Sequence, residues 1–187
     1  GTTTPKYNLG VNATVSYKFI SLSGVAEYRG GDVVYSDLGR VITFTGASYT
    51  SASNGRQPFV FPNSVIQTSP GVSVPNTNIN VQDGNYGFWQ SSAYSGTSRP
   101  FVTRGAFWQL RELNLTFNLN QFIRQSKYMK GLSVALTGRN LFVWVPKSNT
   151  YTDPEFSDIS TTNARGINDA NELPGTRVFG ADLKVTF

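Results

Sequence analysis

The chain closes on Arg177-Val-Phe-Gly-Ala-Asp-Leu-Lys-Val-Thr-Phe187, in which Phe179, Ala181, Leu183, Val185 and the terminal Phe187 alternate with Gly180, Asp182, Lys184 and Thr186. Successive side chains of a strand point to opposite faces, so one face of this segment is wholly apolar and the other almost wholly polar. The run is long for a soluble strand. It has the length of a tilted membrane-crossing strand, with lipid on one side and a wet lumen on the other. This pattern predicts the last strand of a transmembrane β-barrel.

Four further strands follow from the same alternation. The strongest covers residues 7–19, where Tyr7, Leu9, Val11, Ala13, Val15, Tyr17 and Phe19 oppose Asn8, Gly10, Asn12, Thr14, Ser16 and Lys18. After a reversal near residues 19–21 the apolar parity switches to Leu22, Ala26 and Tyr28, as a tight hairpin requires. This second strand, read over 21–35, fades through Gly30-Gly31-Asp32 into Val33-Val34-Tyr35. A third is expected over 106–120, with Leu113, Leu115, Phe117 and Leu119 against Glu112, Asn114, Thr116, Asn118 and Asn120. The fourth covers 132–145, with Leu132, Val134 and Leu136 against Ser133, Ala135, Thr137 and Arg139, and the fifth is 177–187.

Residues 36–105 and 146–176 carry no sustained period, and the shorter connection at 121–131 has room for one helical turn. Short and long connections therefore alternate, and the long ones gather at one end of the sheet. Outer-membrane barrels show this asymmetry, with short periplasmic turns and longer extracellular loops. Five strands cannot close a barrel around a polar lumen, and an open sheet in lipid would leave two unsatisfied edges. The expected architecture is all-β: an antiparallel transmembrane β-barrel segment whose remaining strands lie on another polypeptide or in an unassigned part of the same one.

Composition narrows the function classes. The 187 residues contain no cysteine and no histidine, which excludes disulfides, thiolate nucleophiles, Cys/His zinc sites and histidine general bases, and with them hydrolysis by a Ser–His–Asp arrangement. No apolar stretch approaches the ~20 residues of a membrane helix, so any crossing must use strands. The net charge of +5 raises nucleic acid as a partner. The cations are dispersed, however, and Arg124, Lys127 and Lys130 read as a solvated turn, so no nucleic-acid partner is expected. Gly1-Thr-Thr-Thr-Pro5 has neither a basic start nor an apolar segment and reads as the start of a processed product or of an internal piece.

Four segments carry a resemblance. Thr3-Thr-Pro-Lys-Tyr-Asn8 precedes a strand; Ala106-Phe-Trp-Gln-Leu-Arg-Glu-Leu-Asn-Leu-Thr-Phe117 looks like a strand written "SYLRLKNLTLGY"; Leu136-Thr-Gly-Arg-Asn-Leu-Phe142 looks like "SGQNLF"; and Leu173-Pro-Gly-Thr-Arg-Val-Phe-Gly180 looks like the start of "PGTRTYGFNLKVTF". In this order they resemble the carboxyl-terminal barrel section of the SusC/RagA family of TonB-dependent transporters of Bacteroidetes. The resemblance implies about five C-terminal strands of a 22-stranded barrel in the outer membrane of a Gram-negative bacterium. It further implies import of oligosaccharides or peptides, by a segment that is not itself an enzyme and holds no cofactor. The implied partners are the remainder of the barrel and its plug domain, a SusD-like surface lipoprotein, the TonB complex, membrane lipid, and a second transporter–lipoprotein pair in a dimer. A passive porin-like or adhesin barrel is the alternative within the membrane class, and a secreted carbohydrate-binding β-sandwich the alternative outside it.

Candidate sites follow from position. Tyr86, Phe88, Trp89 and Tyr94 sit in the long extracellular connection, where they could contact ligand or lid by stacking, or could form a hydrophobic core that holds the loop together. Phe187 reads as an assembly signal for outer-membrane barrels and also as a lipid-facing girdle aromatic. Tyr7, Tyr17, Phe19 and Phe117 are expected as interface anchors. Glu112, Arg139 and Lys184 fall on polar strand faces and are expected to face the lumen. Asp153, Glu155 and Asp158 could ligate calcium, but Asp153-Pro154 reads first as turn chemistry, and no metal is expected.

Overall fold

Alternation alone builds the first hairpin. In the computed structural model, which describes residues 1–53, 55–57, 59–60, 63–77, 88–90, 94–151, 153–155, 165–171, 173 and 175–187, β1 (Tyr7–Tyr17) pairs residue for residue with β2 (Ile20–Gly30). The reversal is a two-residue turn at Lys18 and Phe19, with Lys18 at φ 53°. It comes earlier than the sequence suggests, so Phe19 belongs to the turn and Ile20 already to β2.

The strand expected over 21–35 divides in two. At Gly31 the backbone takes φ 90°, a conformation open to glycine, and the chain leaves the first sheet to form β3 (Val33–Ser36) in a second one. The described residues between 36 and 105 are folded, and more regularly than their sequence suggests. Ser36 Oγ accepts from Gly39 N and caps α1 (Asp37–Phe44), whose Asp37–Arg40 pair spans 2.7 Å. Ser48 caps the short α2 (Tyr49–Ala52). A hairpin of β4 (Val65–Ser69) and β5 (Val72–Pro75) follows, then β6 (Val102–Arg104).

Two long strands return across the first sheet: β7 (Phe107–Asn118) and β8 (Gly131–Trp144), joined through a 3-10 turn at Asn120–Phe122. From the second long connection, β9 (Ile167–Asn168) lies parallel to β3, while β6 lies antiparallel on its other side. The two long connections are thereby hydrogen-bonded into one unit, with sheet order β6-β3-β9. The chain ends on β10 (Val178–Thr186).

The main sheet has five strands in the order β1-β2-β7-β8-β10, every neighbouring pair antiparallel. The fold is all-β, as expected. Its hydrophobic core lies at the loop end, mostly beyond this sheet: Phe101, Val34, Trp89 and Tyr94 are buried there with Phe107 at the start of β7, whereas the apolar residues of β1 and, apart from the half-buried Val185, those of β10 are exposed.

Candidate functional site

Register decides the two faces of the sheet. Directly opposed residues in antiparallel strands share a face, and following the pairs from β1 to β10 gives an unbroken apolar surface. Val15 meets Leu22, Leu22 meets Leu115, Leu115 meets Leu136 and Leu136 meets Ala181. Nothing among the described residues covers it: Leu183 is 69% exposed, Phe179 75% and Val15 70%. Soluble monomers rarely expose contiguous apolar area on this scale.

Aromatic rings edge this surface at both ends. At the loop end Tyr28 and Trp108 lie 5.1 Å apart, Trp108 pairs with Trp144, and the rings of Trp144 and Phe142 stack at 5.7 Å. At the short-turn end Phe19 meets Phe122 edge-on at 5.4 Å, beside Tyr17. Along β2 the two rows are separated by roughly 30 Å at strand rise, or about 23 Å across the sheet at a ~40° tilt, close to the ~25 Å apolar band of outer-membrane barrels. Of the expected anchors, Tyr17 and Phe19 stand at the short-turn end and Tyr7, paired with Gly30, at the loop end. Trp108, Trp144, Tyr28 and Phe142 were not anticipated as anchors.

Trp108 was hidden by a change of phase. Trp108 and Leu110 have even parity and Leu113 to Phe117 odd, so no single alternation covers β7. The structure resolves the conflict with a bulge: Arg111 is extra against β2, and opposite it Asn140 and Leu141 are extra in β8. Asn140 takes the left-handed φ of 53° that Asn tolerates well. The bulge restores Trp108 and Leu110 to the apolar face and puts neighbouring Arg111 and Glu112 together on the polar one.

That polar face carries a charge network at its loop end. Glu112 accepts from Arg139 Nε at 3.1 Å, and Lys184 shares their face through its pairing with Ser133. Arg111 donates Nε to Glu27 at 2.8 Å and both Nη atoms to Glu155 at 2.6 and 2.5 Å, while Arg29 donates to the other oxygen of Glu27. The bidentate Arg111–Glu155 contact ties the second long connection to the strand wall. Glu155 is thus held by a guanidinium. Asp153 Oδ1 accepts from Glu155 N at 3.0 Å, the turn chemistry expected of it. Asp158 lies outside the described residues.

Beside the bulge, Gln109, Asn140, Leu141, Val143, Asp153, Gly175 and Arg177 enclose a cavity of about 190 Å³. Gln109 is 2% exposed; its Nε2 donates to Asn140 Oδ1 at 3.5 Å, and its Oε1 has no partner among the described residues. Burial pushes the Asp153 carboxyl above its ordinary value against the hydrogen bond from Glu155 N, with a smaller upward push from the Glu155 charge and a smaller downward pull from Arg111. Asp153 is the one of these positions expected as a candidate site residue; Gln109, Asn140, Leu141, Gly175 and Arg177 lie within the segments that carry the family resemblance, and beyond that only the parity break in β7 marks the place.

The loop aromatics are packed against one another. Trp89 meets Tyr94 and Phe88 at 4.8 Å each, Tyr94 meets Phe101 at 5.9 Å, and Phe59 and Tyr35 close the cluster. Trp89 is 2% exposed and Tyr94 9%, so their ring faces are occupied within the chain. Tyr86 lies outside the described residues. Phe187, at the short-turn end, is 76% exposed.

No protein-family model matches the sequence, and neither does any curated protein. Solved structures do. The RagAB peptide importer in its open-open state aligns with 98% of this chain at a TM-score of 0.59 and 18% identity, over 17% of the matched chain. Its closed-closed state gives 0.57, 17% identity and 99% of this chain over 18% of the other, and a further RagAB peptide transporter structure gives 0.54, 18%, 96% and 17%. This fold recurs within a peptide importer. The chain spans less than a fifth of the length of the chains it matches.

Proposed function

We propose that this chain forms five adjacent wall strands and the extracellular loops of a TonB-dependent outer-membrane transporter that imports peptides or oligosaccharides. The observation that carries the reading is the uninterrupted apolar face across five strands, edged by aromatics about one bilayer's apolar thickness apart and backed by a polar, charged face. Edge strands β1 and β10 have open hydrogen-bonding sides, which further strands of the same barrel would satisfy. The likeness to RagAB structures favours peptides as cargo.

In this reading Glu112, Arg139 and Lys184 line the lumen. The hydrogen-bonded unit of both long connections lies at the extracellular mouth, where a SusD-like surface lipoprotein would close over the barrel. A plug and a TonB-contacting segment would come from the rest of the transporter. The segment itself is non-catalytic. A sandwich would place a second sheet over the apolar face; the exposure of Leu183, Phe179 and Val15 weighs against it.

The test is uptake of labelled peptides and oligosaccharides by cells carrying the full transporter, with and without TonB. The reading expects uptake of one class that is lost without TonB. TonB-independent uptake would establish a passive channel, and a monomer stable in buffer without detergent would establish a soluble domain.

A further inference from the structure

The cavity beside the β7–β8 bulge brings two acceptor groups, Gln109 Oε1 and the Asp153 carboxylate, into one lining with Asn140 and Arg177. Gln109 Oε1 is buried and without a partner among the described residues. Asp153 reaches the same cavity and a neighbouring cleft lined by Val143, Val145, Asn149, Thr150 and Tyr151. Among the described residues no arginine or lysine forms an ion pair with Asp153; the nearby Arg111 is held by Glu27 and Glu155. Arg177, the cation in the cavity wall, has its guanidinium 6.0 Å from the Phe142 ring on the apolar side of the sheet. An acceptor oxygen buried without a donor is costly, and a half-buried carboxylate without an ion-pair partner adds to that cost.

We infer that this cavity binds a primary ammonium group, which would donate to Gln109 Oε1 and supply the countercharge that Asp153 lacks. The inference rests on the transport reading, because it places the ammonium on an incoming solute. At about 190 Å³ the cavity lies below the usual range of sites that enclose a whole small molecule, and suits one terminal group of a larger ligand. The apolar stems of Leu141 and Val143 accommodate the carbon that bears the nitrogen. The upward displacement of the Asp153 carboxyl by burial has the same cause, since a bound cation would draw it back down. An amino sugar and a peptide amino terminus present the same group, and competition separates them.

The experiment is a fluorine NMR titration of the intact, detergent-solubilised transporter with 2-fluoroethylammonium, and with neutral 2-fluoroacetamide as control. The expected result is saturable binding of the ammonium probe alone, weakened by about five-fold or more in Asp153→Asn and in the shape-preserving Gln109→Met. Folding of each variant is checked by its gel mobility before and after heating. Displacement by glucosamine but not N-acetylglucosamine assigns an amino sugar, and displacement by trialanine but not N-acetyl-trialanine assigns a peptide terminus. Absence of saturable ammonium binding, equal binding of the neutral probe, or binding unchanged in both folded variants overturns the inference. None of these outcomes bears on TonB-dependent uptake, so the two readings fail separately.

Discussion

Replacing Leu183 with arginine tests the facing of the sheet. β10 has nine residues, so at ~3.3 Å per residue and ~40° of tilt it crosses roughly 23 Å, nearly the whole apolar band. Its central residue is Asp182, which leaves Leu183 about 2.5 Å from the midplane and Val185 about 7.5 Å from it at this rise and tilt. An arginine on the lipid face costs about 2–4 kcal/mol at the midplane and ~0–1 near the interfaces. Leu183→Arg should therefore fall near the upper end of that range and Val185→Arg clearly below it. Lys184→Glu lies on the opposite face and should cost less than ~1 kcal/mol, because it exchanges one solvated charge for another. Folding of the complete barrel into lipid vesicles, followed by the heat-sensitive gel shift and urea titration, gives the three values. Equal destabilisation by Leu183→Arg and Lys184→Glu would refute the facing, and equal effects at 183 and 185 would refute the depth.

Trp89→Ala removes the centre of the loop core, and large-to-small changes at such sites cost about 3–5 kcal/mol. Limited proteolysis should show faster cleavage within residues 36–105 while barrel abundance stays unchanged; a loop as resistant as the parent would remove the core role. Arg111→Ala leaves Glu155 and Glu27 without their shared cation, a loss of about 1–3 kcal/mol in local stability, so hydrogen exchange around residues 153–155 should accelerate. Unchanged exchange there would show that the ion pair does not anchor the loop. Deleting Phe187 should lower the amount of assembled barrel without altering uptake per assembled molecule. Normal surface abundance after the deletion would leave the residue a girdle aromatic alone.

Strong, unbroken alternation was enough to read β1 and β10 from the sequence, because a strand facing two unlike solvents must write that difference at every second residue. Loop-length asymmetry likewise gave the two ends of the sheet without coordinates. Three things depended on tertiary structure. The bulge at Arg111 and Asn140 inserts residues that local periodicity registers only as noise, and it alone decides that Trp108 faces outward and Gln109 inward. The pairing of β3 with β9 joins segments more than a hundred positions apart, a contact for which a short irregular stretch carries no periodic mark. The choice between packing and contact for Trp89 and Tyr94 had to wait for the structure as well, since an aromatic ring in a loop has the same sequence signature whether its faces are open or filled. Periodicity is a property of one strand against its solvent, whereas the bulge, the loop sheet and the ammonium cavity arise where strands distant in sequence meet.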